Sequence, residues 1–297
     1  MGTHSSQLAK QAVTAVLGCL YSLSPDLPAR SALAGLGIYG APLSRVPAQT
    51  RLGPLPSWSP WTAFSPDNGA TELPVDLTLV LAGARPMALL HGPEQQTRQW
   101  LAVAFQNGLC GLTSAIEFEP VQDSRLGRYA NLMGQQRPAR FGSGAWRGVF
   151  IGPDPAWVLA AWLAEQRGWD GVLGACLGYP SCCIDQFEQR WPIARQHYQG
   201  DPGLMLLAEA GDDDVLPWEL NLYARYSGPC LTEHFPCSWH CAASIQRATQ
   251  LSFALAFTDK EAEAEIRQRM QRPVNLLGRT LIFSKTPAQA TEAEIST

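Results

Sequence analysis

Apolar residues recur along this chain with two different periods, and the change from one to the other divides the sequence. Near the start, Leu8, Ala12, Val13, Val16, Leu17 and Leu20 return at helical spacing, so residues 1–40 read as an N-terminal helical segment. From Ala41 to Leu73 neither period holds. Prolines, serines and tryptophans crowd together in "PLPSWSPWTAFSPDNG", the composition of irregular chain that wraps a surface. Short apolar runs bounded by turn residues then read as strands: "VDLTLVLAG", "PMALLHG", "SAIEFEP" and "AWRGVFIG". Between them "EQQTRQWLAVAFQNG" reads as a helix ended by glycine, and Asp154 with Pro155 opens another that Gly168 stops.

Beyond Gly168 the helical period dominates. Ser181 to about Gln199 is one helix, and Ser238 to about Gln271 is a long one expected to break near Thr258. "NLLGRTLIFSK" reads as a closing strand, and "TPAQATEAEIST" as a solvated tail. The class is α+β, a mixed α/β front half with a helical, cysteine-bearing C-terminal half. Four regions follow: 1–40 helical, 41–150 a strand-containing substrate or scaffold region, 151–285 a helical metal- or cluster-binding region, and 286–297 a flexible tail.

Composition narrows the function more than the fold. The chain has 297 residues, 46% hydrophobic and 16% charged, enough for one large core or two smaller ones. Net charge is −4 and the 22 Lys and Arg are scattered, so nothing marks a nucleic-acid surface and none is expected as a partner. No uncharged run reaches the roughly 18 residues of a membrane span, and mean hydropathy is −0.09. "AVTAVLGCLYSL" resembles the apolar region of a lipoprotein signal ending at Cys19, but its helical spacing and the single preceding lysine favour an amphipathic helix. "MGTHSS" matches a myristoylation pattern only loosely. The expectation is a cytoplasmic protein without a membrane partner.

The cysteines carry the candidate chemistry. Cys19 and Cys110 stand alone among apolar residues, whereas Cys176, Cys182, Cys183, Cys230, Cys237 and Cys241 fall within 66 residues. Two segments repeat one design: "LGYPSCCIDQF" and "HFPCSWHCAAS". In the first, Pro180 disfavours helix at Tyr179, Ser181 can cap, and Cys182 and Cys183 take the first two helical positions. In the second, Pro236 precedes, Ser238 can cap, Cys241 takes the third helical position and Cys237 lies just outside. A helix N-terminus offers unpaired N–H groups and the positive end of the dipole, which favour thiolate over thiol. Two such starts, each bearing two thiols, suit a soft metal or an iron–sulfur cluster.

The spacings, CC, CxxxxxxC and CxxxC, match none of the common zinc or ferredoxin strings. Neighbouring helical side chains diverge by about 100°, so only one of Cys182 and Cys183 is expected to ligate, with Cys230, Cys237 and Cys241. The other faces the core or acts as a reactive thiol. Six thiols beside His234 and His240 exceed the four ligands of a closed zinc site. That surplus favours an iron–sulfur cluster, 4Fe-4S first, with zinc as the alternative, a metal-free dithiol pair as a third reading and inert core cysteines as the plain one. Cys182, His234 and His240 are the candidate catalytic residues, the histidines donating to a thiolate or moving a proton. Tyr223, Arg225 and Tyr226, with Asp185 and Glu233 nearby, are candidates for a pocket wall.

"FGSGAWRG" lacks the spacing of a phosphate loop, "GDDDVLP" reads as a solvated cap, and no G-x-S-x-G, HExxH or kinase signature occurs. The function expected is redox or sulfur-related tailoring of a small molecule or peptide, with Trp58 and Trp61 in its pocket or lid. The competing class is a zinc-stapled binding module with those tryptophans as its contact surface.

At Tyr179, Pro180, Cys182 and Cys183, then His234, Phe235, Pro236, Cys237, Ser238, Cys241 and Ser244, the chain resembles a prokaryotic cysteine-rich family of unknown function that shares a "YPxCC" segment and a downstream "HFPCSxxC". The resemblance covers about seventy residues of the back half. It implies a common metal or thiol centre and no particular reaction.

Overall fold

The computed structural model describes residues 39–40, 74–120, 133–140, 142–198, 202–209, 215–226, 228–276 and 279–284. The N-terminal amphipathic run with Cys19, the segment bearing Trp58 and Trp61, and the C-terminal tail lie outside these residues. Of the described residues, 39–40, 74–119 and 133–181 form one compact unit and those from 182 onward form a second.

The first unit is built on an antiparallel sheet. Its strands are β1 (Tyr39–Gly40), β2 (Ala88–Pro93), β3 (Cys110–Pro120), β4 (Met133–Pro138) and β5 (Trp146–Gly152), in the order β1-β3-β5-β2 with β4 pairing to β3. Helices α1 (Val75–Leu81), α2 (Glu94–Gln106), α3 (Pro155–Arg167) and α4 (Asp170–Cys176) complete it. Alternation along the strands explains the layering, since successive side chains point to opposite faces. Met87, Leu112 and Phe150 pack with Val158, Leu159 and Ala161 of α3. Ala88, Leu90, Val149 and Ile151 pack with Leu77 of α1 and Trp100, Leu101 and Ala104 of α2. The sheet is therefore covered on both faces.

Two local signals hold as expected in α3: Asp154 accepts from the Ala156 N–H at 2.8 Å, and Gly168 ends the helix at φ 65°. Gly111 is required by packing, because a Cβ there would meet Leu101 Cδ2 at 2.3 Å and the Phe150 carbonyl at 3.1 Å. The expected strand "VDLTLVL" is instead α1. Val75, Leu77, Thr78, Leu79 and Val80 are all buried, and a short apolar run with only Asp76 and Leu81 part-exposed carries no period that separates strand from helix.

At one end of the sheet a buried ionic group fastens the loop before β5. Glu117 accepts from Arg137 Nε at 2.6 Å, from the Arg140 N–H at 2.9 Å and from Ser143 Oγ at 2.7 Å. Glu94, at the start of α2, accepts from the Gly142 N–H at 2.9 Å. Arg147 stands 3.5 Å from Glu117 and 3.7 Å from Glu94. The Arg137 guanidinium, then the Arg140 N–H and Ser143, hold the Glu117 carboxyl down at about 2.

The second unit is mainly helical: α5 (Ser181–His197), α6 (Pro202–Glu209), the 3₁₀ turns Trp218–Leu220 and Leu222–Tyr226, α7 (Ala242–Thr258) and α8 (Lys260–Met270). The break between α7 and α8 falls where the sequence predicts it, with Asp259 capping α8 by accepting from the Ala262 N–H at 2.9 Å. The closing segment is a hairpin, β7 (Val274–Leu276) and β8 (Arg279–Ser284), and β8 also pairs in parallel with β6 (Val215–Pro217). "LYARY" forms a 3₁₀ turn. Asn221 donates to the Met270 carbonyl at 2.7 Å, and Tyr223 donates to the Gly203 carbonyl at 2.8 Å, so side chains fix this stretch to its neighbours. No helix among the described residues is long and apolar enough to cross a membrane.

Candidate metal centre

Four thiols of the second unit converge. The Sγ atoms of Cys182, Cys183, Cys237 and Cys241 all lie within 4.8 Å of one another. The separations are 3.9 Å between Cys182 and Cys183, 3.7 Å between Cys182 and Cys241, and 3.6 Å between Cys183 and Cys241. Both adjacent cysteines belong to the group, which corrects the expectation that only one of them would point at it. The 100° between successive helical residues separates Cα–Cβ directions, and rotation about χ1 then swings each sulfur toward its neighbour.

The two thiol segments are shaped differently. Ser181 opens α5, so Cys182 and Cys183 sit in its first turn. In the second segment the helix begins at Ala242, later than Ser238 suggests, and Cys241 is itself the N-cap residue with φ −63° and ψ 102°. Ser238 closes a turn instead: its carbonyl accepts from the Cys241 N–H at 3.2 Å, and its hydroxyl from the His240 N–H at 3.4 Å. That turn directs Cys237 and Cys241 to one point. Ser244 then lies one turn into α7, three residues beyond Cys241 and on the same side of the helix.

Aromatic packing registers the two segments against each other. Phe187 of α5 stacks on Phe235 with centroids 5.9 Å apart and planes 14° from parallel, and Phe187 stacks also on Trp191. Arg225 lies 5.0 Å over the Phe235 ring while donating to the Glu233 carbonyl at 2.6 Å. Trp239 is buried, donates to the Leu206 carbonyl at 2.9 Å and packs with Tyr223 and Phe283. Arg225 and Tyr223, considered for a pocket wall, thus support the thiol loop from behind.

Donors surround the sulfurs unequally. Cys183 accepts from the Cys237 N–H at 3.3 Å, and its Sγ lies 3.1 Å from Ser244 Oγ. Ser244 donates to Cys241 Sγ at 3.3 Å, and its oxygen lies 2.7 Å from His234 Nε2. A serine hydroxyl has one proton; given to a sulfur, it leaves lone pairs for an N–H of His234. His234 is thereby linked to the thiols through Ser244. The hydrogen bond from Cys183, and then those from Ser244, hold Cys241 well below the ordinary thiol range. The same bond to Cys241, together with burial, pushes Cys183 up. Burial, and then Cys241, push Cys237 up to about 11. A soft dication bound by these sulfurs would take the place of the thiol protons.

Two expected participants, Cys230 and His240, lie elsewhere, and so does Cys176, to which no role was given. Cys230 is set apart from the four: its thiol donates to the Thr232 carbonyl at 3.2 Å, and Arg269 of α8 holds the Pro229 carbonyl beside it at 3.0 Å. That turn is fastened to α8 rather than to the loop bearing Cys237, a difference that spacing along the chain does not express. His240 is on the surface, outside the thiol group. Cys176 is buried in the first unit's core and pushed up to about 12 by burial. Ser244 is the contributor that thiol counting overlooks. Its signal was the i, i+3 spacing from Cys241.

Comparison with protein-family models, with curated proteins and with solved structures found no match for this chain. The geometry itself defines a cysteine-rich protein with a group of four thiols compatible with metal binding.

Proposed function

We propose that this chain is a zinc protein, holding one Zn²⁺ through the thiolates of Cys182, Cys183, Cys237 and Cys241. The observation that carries the reading is the sulfur spacing, 3.6 to 3.9 Å among Cys182, Cys183 and Cys241 with all four sulfurs within 4.8 Å of one another. Thiolates bound about 2.3 Å from one tetrahedral ion lie about 3.8 Å from each other. A 4Fe-4S cluster puts each cysteine on a different iron, which spreads the thiolates further apart. The spacing therefore supports a single ion over the cluster that the number of cysteines suggests. Bound there, zinc ties the first turn of α5 to the turn ahead of α7, two segments 54 residues apart from Cys183 to Cys237. Ser244 and the Cys237 N–H supply hydrogen bonds to the buried thiolates, and His234 orients the serine.

Metal analysis of protein purified without oxygen tests this. The expected result is one equivalent of zinc per chain, colourless, with cobalt replacement giving the visible bands of a tetrahedral thiolate site. Brown protein containing iron and inorganic sulfide overturns the zinc reading in favour of a cluster enzyme of redox or sulfur-related chemistry. Metal-free protein with reversibly titrating thiols overturns both.

A further inference from the structure

The four sulfurs are not equivalent. Cys183 and Cys241 are 2% and 6% exposed and Cys237 is half-buried, whereas Cys182 is exposed to solvent. The same division runs through the hydrogen bonds. Cys183 accepts from the Cys237 N–H and adjoins Ser244 Oγ, and Cys241 accepts from Ser244, whose oxygen meets His234. Each donor draws electron density from the sulfur it touches, and burial shuts out an attacking molecule. Four thiolates on one dication leave two net negative charges, so the ligand shell is electron-rich. That density is available to a reagent at the face where Cys182 meets solvent.

Resting on the zinc reading, we infer that Cys182 is the nucleophilic ligand of the centre, an acceptor of alkyl groups from soft, uncharged carbon electrophiles. A lone pair of Cys182 Sγ forms the bond to carbon, and the bond from carbon to the leaving group breaks, the leaving group departing with its electron pair. No proton moves, because the metal already holds the sulfur as thiolate. Zinc keeps a thioether in place of a thiolate, and the centre loses one negative charge. An anion is disfavoured as the electrophile by the charge of the site, and a bulky one by the burial of the other three sulfurs.

The test uses the full chain after its zinc content has been measured, treated with less than one equivalent of iodoacetamide and mapped by peptide mass spectrometry. Iodide is the leaving group, and the label is a carbamidomethyl group. Among the four site cysteines, Cys182 is expected to carry the great part of the label. Cys182→Ser should remove the fast phase of the reaction. Ser244→Ala, which keeps all four thiols, should raise the share of label on Cys241 several-fold by removing its donor. Zinc-loaded protein that labels the four evenly, or Cys237 first, overturns this inference and leaves the zinc reading standing. Protein without zinc overturns both.

Discussion

Cys110 and Cys176 of the first unit and the four grouped cysteines of the second have opposite fates, although they share a residue type and, for most of them, deep burial. Cys110 and Cys176 lie in the apolar core of the first unit, and burial pushes each up to about 12. Cys110 donates to the Gly152 carbonyl at 3.0 Å, a bond that holds the neutral thiol. Cys183 and Cys241 are buried just as thoroughly, yet they lie 3.6 Å apart with a hydroxyl and an N–H directed at their sulfurs. Burial by itself makes a thiol inert; burial beside other thiols, with donors to stabilise charge, makes a ligand set. The distinguishing property is company.

The largest effect should come from making one substitution in both places. Cys241→Ser is expected to abolish zinc retention and cost several kcal/mol, since metal binding in such sites is part of the folding free energy. Cys176→Ser should keep the full zinc equivalent and cost about 1–3 kcal/mol for a hydroxyl in an apolar site. Metal analysis and urea unfolding on the two variants separate these outcomes. Equal zinc loss in both would erase the contrast.

Next in size is the donor set. Ser244→Ala is expected to weaken zinc binding by about 10- to 100-fold, the usual effect of removing an outer hydrogen bond to a ligand. Competition against a coloured chelator measures it. An unchanged affinity would show that the hydroxyl only fills space.

The aromatic stack should matter less. Phe235→Leu keeps most of the apolar volume but loses the ring contacts with Phe187 and Arg225, at a cost of about 1 kcal/mol. It should also speed zinc release by loosening the loop against α5, an effect that stopped-flow chelation would detect.

The smallest change concerns the first unit's own polar centre, where no thiol takes part. Glu117 is held near 2, below the roughly 4.3 of an unfolded glutamate, so its contribution is present above pH 4.3 and lost as pH falls toward 2. Urea unfolding between pH 5 and pH 2 should show this loss in the wild type and a flatter profile in Glu117→Gln. The partners that set the value, Arg137, Arg140 and Ser143, all lie within the first unit, so zinc content should not influence it.

Most of what the sequence made legible followed from local rules. The α3 caps Asp154 and Gly168, the break at Asp259 and the strand "AWRGVFIG" all sit where period and turn chemistry place them. "VDLTLVL" did not, because a run with only Asp76 and Leu81 part-exposed is too short and too buried to reveal its period. In the candidate site, the two proline-led segments carry all four thiols that converge, although only one of Cys182 and Cys183 was expected to point inward. Cys230 and His240 were added by proximity along the chain, and proximity carries no direction: Cys230 follows a turn fastened by Arg269, and His240 faces outward from the turn at Ser238.

The amino-acid sequence alone determined that this protein concentrates thiols after two prolines, that it mixes strands with helices, and that such a set is compatible with a soft metal. These are consequences of residue chemistry and of the first few bonds around each residue. Tertiary structure decided which thiols meet, how far apart their sulfurs stand, and which one faces water. Those depend on the Phe187–Phe235 stack, the anchoring of Trp239 and the reach of Ser244, contacts between residues 10 to 61 positions apart. Convergence over such separations is set by packing, which no local spacing encodes.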